Sequence, residues 1–164
     1  MSALSHARIS TLPELSLRRI FHAPRELVFE VLSNPEHVKH WIGPRAFTAV
    51  RYEQDTRPGG QWSGTLRQTG EWEGLQQPDL GFGGRFLEVD PPERLVYTFA
   101  WNGEGGLPTS ETVITVTLTE ISDFKTQMDF HQASFDSVEQ RDGHSRGWNS
   151  SFDRLNDYLK AMVR

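Results

Sequence analysis

Apolar and polar residues alternate along most of this chain, and the alternation is interrupted near each end by a longer period. "ELSLRRIF" puts Leu15, Leu17, Arg19 and Phe21 on one face and Ser16, Arg18 and Ile20 on the other, which predicts a strand. In "APRELVFEVLSNPEHVKHW" the apolar residues Leu27, Val28, Val31 and Leu32 recur at helical spacing, with Pro24 suited to the first turn. Asn34 followed by Pro35 then starts a second short helix that ends before Gly43–Pro44. Strands follow at "FTAVRYE", at "GGQWSGTLRQ" with Trp62, Gly64 and Leu66 on one side, and at a short "RFLEV". "TGEWEGLQQPDLGFGG" reads as a loop or irregular hairpin, and "NGEGGLPTS" as a turn. "RLVYTFAW" alternates sharply, with Leu95, Tyr97, Phe99 and Trp101 together. "ETVITVTLTEI" sets Ile114, Val116 and Leu118 on one face, and "FKTQMDFHQASF" sends Thr126, Met128, Phe130 and Gln132 one way and His131 the other. From about Asp142, Trp148, Phe152, Leu155 and Leu159 form one stripe on a long helix, with Ser137-x-x-Gln140 capping a short turn before it.

One strand, two short helices, about six further strands and a long helix predict an α+β domain whose antiparallel sheet curls around the final helix. Residues 1–13 read as a flexible arm and 14–164 as a single domain, with no repeat or linker between.

Composition changes this picture in four ways. The net charge of −5 argues against a nucleic-acid partner. No apolar run approaches the ~18 residues of a membrane span, and the opening residues show no charged-then-apolar pattern, so no secretion signal is expected. The chain has no cysteine, which removes disulfides and thiolate chemistry and leaves the cytoplasm as the expected compartment. Five Trp, ten Phe and three Tyr exceed what a core of this size needs, so some are expected to line a cavity.

"RIFHAPRELVFEVLSNPEHVKHWIGP", "GGRFLEVDPPERLVYTFAW" and "RDGHSRGWNSSFDRLNDYL" resemble, in order, the opening, middle and closing motifs of bacterial homologues of the activator of the heat-shock chaperone ATPase. These belong to the START-like, birch-pollen-allergen-like superfamily called SRPBCC. The resemblance spans roughly residues 15–160 and implies a helix-grip fold of six to seven strands, often with a cavity between sheet and C-terminal helix. It also implies that homodimers are common among such proteins. The family pattern carries a histidine near the end of the last strand where this chain has Gln132, and a second aromatic residue where it has Ile42.

His37 and His40 share a helical side, but no third ligand is placed beside them, so no metal site is expected. Both, with Lys39, are expected to face water while Trp41 turns inward as part of a lid. Asp142, His144 and Ser145 are too close in sequence to form a triad; Asp142 reads as an N-cap with His144 in the first turn. Glu71 and Glu73 read as a solvated acidic tip, and Glu88 as a partner of Arg85 or Arg94. No catalytic residue and no cofactor follow. The expected function is binding of a small apolar or aromatic molecule by Trp41, Trp62, Tyr97, Phe99, Trp101, Met128, Phe130, Trp148 and Phe152. Gln132 and the Tyr97 hydroxyl are expected to be its polar contacts. The alternatives are regulation of a heat-shock chaperone by protein contact, and weak cyclase- or hydrolase-type chemistry on a polyketide-like substrate.

Overall fold

The computed structural model describes residues 12–103 and 109–163. The chain runs β1 (Glu14–Phe21), α1 (Arg25–Ser33), α2 (Pro35–Val38), β2 (Phe47–Gln54), β3 (Gln61–Gln68), β4 (Leu80–Asp90), β5 (Arg94–Trp101), β6 (Thr112–Ser122), β7 (Lys125–Ala133) and α3 (Val138–Met162). Seven strands form one sheet in the order β1-β7-β6-β5-β4-β3-β2, with every neighbouring pair antiparallel. β1 and β2 therefore occupy opposite edges, and α1 with α2 carries the chain across the whole width between them. This is the helix-grip architecture: a curled sheet, two short helices after its first strand, and a long C-terminal helix.

The alternation builds it directly. Thr126, Met128, Phe130 and Gln132 of β7 are buried, as are Thr112, Ile114, Val116 and Leu118 of β6. The stripe of α3 fills the concave side: Trp148 lies 4.9 Å and Phe152 5.2 Å, centroid to centroid, from the ring of Phe130. Leu155 and Leu159 continue the stripe and are buried too. Asn34 caps α2 by accepting a hydrogen bond from the Glu36 amide at 3.0 Å.

Two boundaries differ from the expectation. "LGFGG" is the first half of β4 and not loop. Glycine there reflects close approach of backbones: a Cβ on Gly83 would stand 2.7 Å from the Trp62 carbonyl oxygen, and one on Gly84 would run into that of Thr98. The long helix begins at Val138. The Ser137 hydroxyl accepts from the Gln140 amide at 3.1 Å while the Gln140 side chain accepts from the Asp136 amide at 3.0 Å. The Ser137 cap thus starts α3 itself, and Asp142, exposed and paired with Arg141, is an interior residue. The expected N-terminal arm falls almost wholly outside the described residues, as does part of the turn after Trp101. Among the described residues no helix is long and apolar enough to cross a membrane.

Candidate ligand-binding cleft

Moving the start of α3 back by a turn changes what the helix shows to the sheet. His144 precedes Trp148 by four residues and so joins the inward stripe; Gly143 and Gly147 lie beside them. Facing these residues, Phe82 of β4 and Phe99 and Trp101 of β5 form an aromatic floor, with Phe82 and Phe99 stacked at 5.8 Å. Ile42, Pro44 and Phe47 close one side and Trp72, from the β3–β4 connection, another. The space enclosed is about 370 Å³, within the range of small-molecule sites.

The β3–β4 connection is held over the cleft by defined contacts. A tight turn at Glu73 and Gly74, both at positive φ, brings Leu75 back to Trp72. The Glu71 carboxylate accepts from the Gly74 amide at 2.6 Å, and Glu73 pairs with Arg146 of α3 at 2.5 Å. Trp72 sets its ring against the edge of Phe47 at 6.2 Å. Both glutamates are exposed, as expected of a solvated tip, yet Glu71 also braces the turn of its own loop and Glu73 ties that loop to α3. Glu88 pairs with Arg94 at 3.1 Å.

His144 is the polar centre of the wall. Trp101 Nε1 donates to His144 Nε2 at 2.8 Å, and the imidazole stands edge-on to Phe99 and Phe135 at 5.2 and 5.0 Å. An indole N–H only donates, so Nε2 is the acceptor and the ring proton sits on Nδ1. Burial among aromatic rings lowers the His144 pKa from 6.5 to about 4. The unfolded chain therefore takes up a proton between pH 6.5 and 4 that the folded chain refuses, and stability falls as the pH drops through that window. The loss attributable to His144 is at most about 3 kcal/mol. Urea unfolding at pH 7 and pH 4.5 should show it in the wild type and show a smaller drop in His144→Phe; equal drops would remove His144 as the cause.

The expected binding residues divide three ways. Phe99, Trp101 and Trp148 border the cleft. Trp41, Trp62 and Tyr97 border a separate void of about 20 Å³, which Trp148 also touches; that space suits a single water. Met128, Phe130, Gln132 and Phe152 border neither. The Gln132 amide, expected as an orienting contact, is engaged inside the protein: Nε2 donates to Thr112 Oγ1 and Oε1 accepts from Trp148 Nε1, both at 2.9 Å. Burial raises the pKa of the Tyr97 phenol, which keeps its proton. Trp41 does turn inward, donating from Nε1 to the Val31 carbonyl at 3.0 Å. His40 is exposed, as expected, while stacking on Tyr158 at 5.7 Å; His37 is half-buried, its Nδ1 2.7 Å from the Tyr158 hydroxyl. The sequence pattern does not single out His144, Trp72 or Gly143 for the cleft, whereas Gly147, costly inside a helix, is expected to leave room for a close-lying sheet or a ligand. The i, i+4 spacing of His144 and Trp148 was the available signal.

A curled antiparallel sheet gripping a long helix over such a cleft defines a START-like, SRPBCC-type domain. Within that class, residues 22–160 match the family model described as activator of Hsp90 ATPase homolog 1-like protein, and the chain belongs to that family. A structural-genomics protein from Chromobacterium violaceum is 25% identical with a TM-score of 0.75, over 90% of this chain and 97% of its own. The AHSA1 protein from Silicibacter pomeroyi, 20% identical, gives a TM-score of 0.80 over 92% of this chain and 99% of its own. A protein from Nitrosomonas europaea, 25% identical, gives 0.71 over 92% and 96%. No curated protein sequence matches significantly.

Proposed function

We propose that the chain binds a small apolar or aromatic molecule in the cleft between β4, β5 and the N-terminal half of α3. The observation that carries this reading is the pair Gly143 and Gly147. Glycine in a helix interior costs about 1 kcal/mol relative to alanine. Here neither position has a positive φ, and a Cβ on either would meet nothing closer than 3.8 Å and 3.9 Å respectively. Packing does not demand these glycines; what they preserve is open space on the cleft side of the helix. Family and fold support a ligand-binding domain of this type.

An aromatic bicycle burying about 300 Å² would gain ~7 kcal/mol of transfer free energy before ordering costs, which places the affinity in the micromolar range or weaker. Titration is therefore a better test than co-purification. With 2-isopropylnaphthalene, the indole N–H resonances of Trp72, Trp101 and Trp148 should shift saturably while those of Trp41 and Trp62 move little. Gly147→Leu should fill the cleft and abolish the shifts, and Gly147→Ala should raise the Tm by about 2–4 °C. Shifts that persist in Gly147→Leu would place binding elsewhere. A second reading, regulatory contact with a heat-shock chaperone, rests on the family description; the open cleft favours the first.

A further inference from the structure

Resting on the binding reading above, we propose that the ligand carries an uncharged hydrogen-bond acceptor, a ketone- or quinone-type carbonyl on a flat ring, and that His144 Nδ1–H receives it. The Trp101 indole occupies Nε2 at 2.8 Å and fixes the tautomer, leaving Nδ1–H as the ring's remaining polar group. Nδ1 has no hydrogen-bond partner among the described residues, although His144 lines the cleft. Turning the ring to exchange its nitrogens would lose that indole bond.

Other polar groups of the wall are engaged in part: the Gln77 side-chain amide, the Trp72 indole N–H and Gln140 Nε2 have no partner among the described residues, but none belongs to a ring fixed in place by a second hydrogen bond as the His144 ring is. The Ser151 hydroxyl accepts from the Gly43 amide and donates to the Trp41 carbonyl. Gln140 Oε1 accepts from the Asp136 amide. Glu73 is tied to Arg146. The described lining holds that one carboxylate, already paired with Arg146, and no Lys or Arg of its own, so a carboxylate ligand would be desolvated there with no free cation to pair it. A neutral carbonyl satisfies the imidazole donor and keeps its aromatic body on the Phe82–Phe99–Trp101 floor. Sorting of ligands by this pair follows from what is lost when the donor has no acceptor, or the carbonyl no donor.

The test uses two probes of one shape, 2-acetonaphthone and 2-isopropylnaphthalene, titrated against the wild type and His144→Phe. The substitution should lower acetonaphthone affinity about tenfold and change isopropylnaphthalene affinity less than twofold. Dividing one ratio by the other cancels any general disturbance of the cleft. Equal losses for both probes would overturn the His144 assignment and leave the binding reading intact; no binding of either probe by the wild type would overturn both. Nitrogen-15 shifts of the wild-type His144 ring give a check free of mutation: a protonated Nδ1 and bare Nε2 are expected, and the opposite tautomer would sink the proposal.

Discussion

Alanine at position 148 should lower stability by about 5 kcal/mol and abolish binding of either naphthalene probe. Trp148 is buried, stacks on Phe152 at 5.5 Å, and reaches Phe130 at 4.9 Å and Phe99 at 6.2 Å. Removing a core Trp costs about 3–5 kcal/mol through lost transfer energy and the cavity left behind. The indole also donates to Gln132 Oε1 at 2.9 Å, and an orphaned buried acceptor adds about 1–3 kcal/mol. Trp148 separates the cleft from the small void beneath Trp41, so its loss would merge the two and leave a ligand without a wall. Trp148→Phe separates the contributions: it keeps most of the ring contact and loses the N–H, and should cost about 1–3 kcal/mol. Thermal melts of the two variants make the comparison. A loss below about 1 kcal/mol for the alanine variant would mean that neither the packing nor the Gln132 brace holds the helix to the sheet.

Gln132 shows how far the sequence could be read. Strict alternation correctly put it inward with Met128 and Phe130, because side-chain direction has a period of two in any strand. Alternation gives the face but not the place on that face. At about 3.3 Å per residue, Leu95 to Trp101 covers roughly 20 Å, so one face of β5 runs from deep core to cleft: Tyr97 stops at the small void and Trp101 reaches the cleft. Position across the sheet is equally hidden. β7 is separated from β4 by β6 and β5, an order set by where α1 and α2 carry the chain and not by any pattern within a strand. Met128, Phe130 and Gln132 thus face the same interior as Phe99 but on its other half. The glycines of Leu80–Gly84 resembled a loop because their reason, backbones in close approach, lies in the partner strands β3 and β5. His144 was missed for a local reason: the helix was started one turn late, at Asp142, although Ser137 and Gln140 carried the start signal.

The cleft also depends on a cation that no pattern marked, and Arg154→Met should cost about 3 kcal/mol while loosening one wall. Arg154 Nη1 lies within hydrogen-bond range of the carbonyl oxygens of Ile42, Gly43, Pro44 and Phe47, at 3.3, 2.9, 3.2 and 3.1 Å, and Nη2 reaches that of His40 at 3.2 Å. One nitrogen carries two protons, so the four Nη1 contacts are shared and count as about two good bonds. Each charged bond to a carbonyl is worth about 1.5–3 kcal/mol, less the cost of half-burying the guanidinium, whose pKa is lowered by that burial and then by Arg45. No carboxylate pairs with Arg154 among the described residues; the carbonyls of the turn are its counter-charge. Two serines of the same helix add to the clamp, Ser151 accepting from the Gly43 amide at 3.1 Å and Ser150 from the Arg45 amide at 2.9 Å. Gly43 makes the turn possible, with φ +92° and the Leu66 side chain against it. Because Ile42, Pro44 and Phe47 wall the cleft, releasing this turn should weaken 2-isopropylnaphthalene binding several-fold, beyond the change in Tm. Arg154→Lys should recover less than half of the stability, since an ammonium cannot span carbonyls so widely placed. Hydrogen exchange supplies the deciding measurement: the Phe47 amide, bonded to the Pro44 carbonyl at 2.8 Å, should exchange much faster in Arg154→Met than amides of β6 and β7. Uniform acceleration across the sheet would show instead that Arg154 supports the fold as a whole and not the turn that walls the cleft.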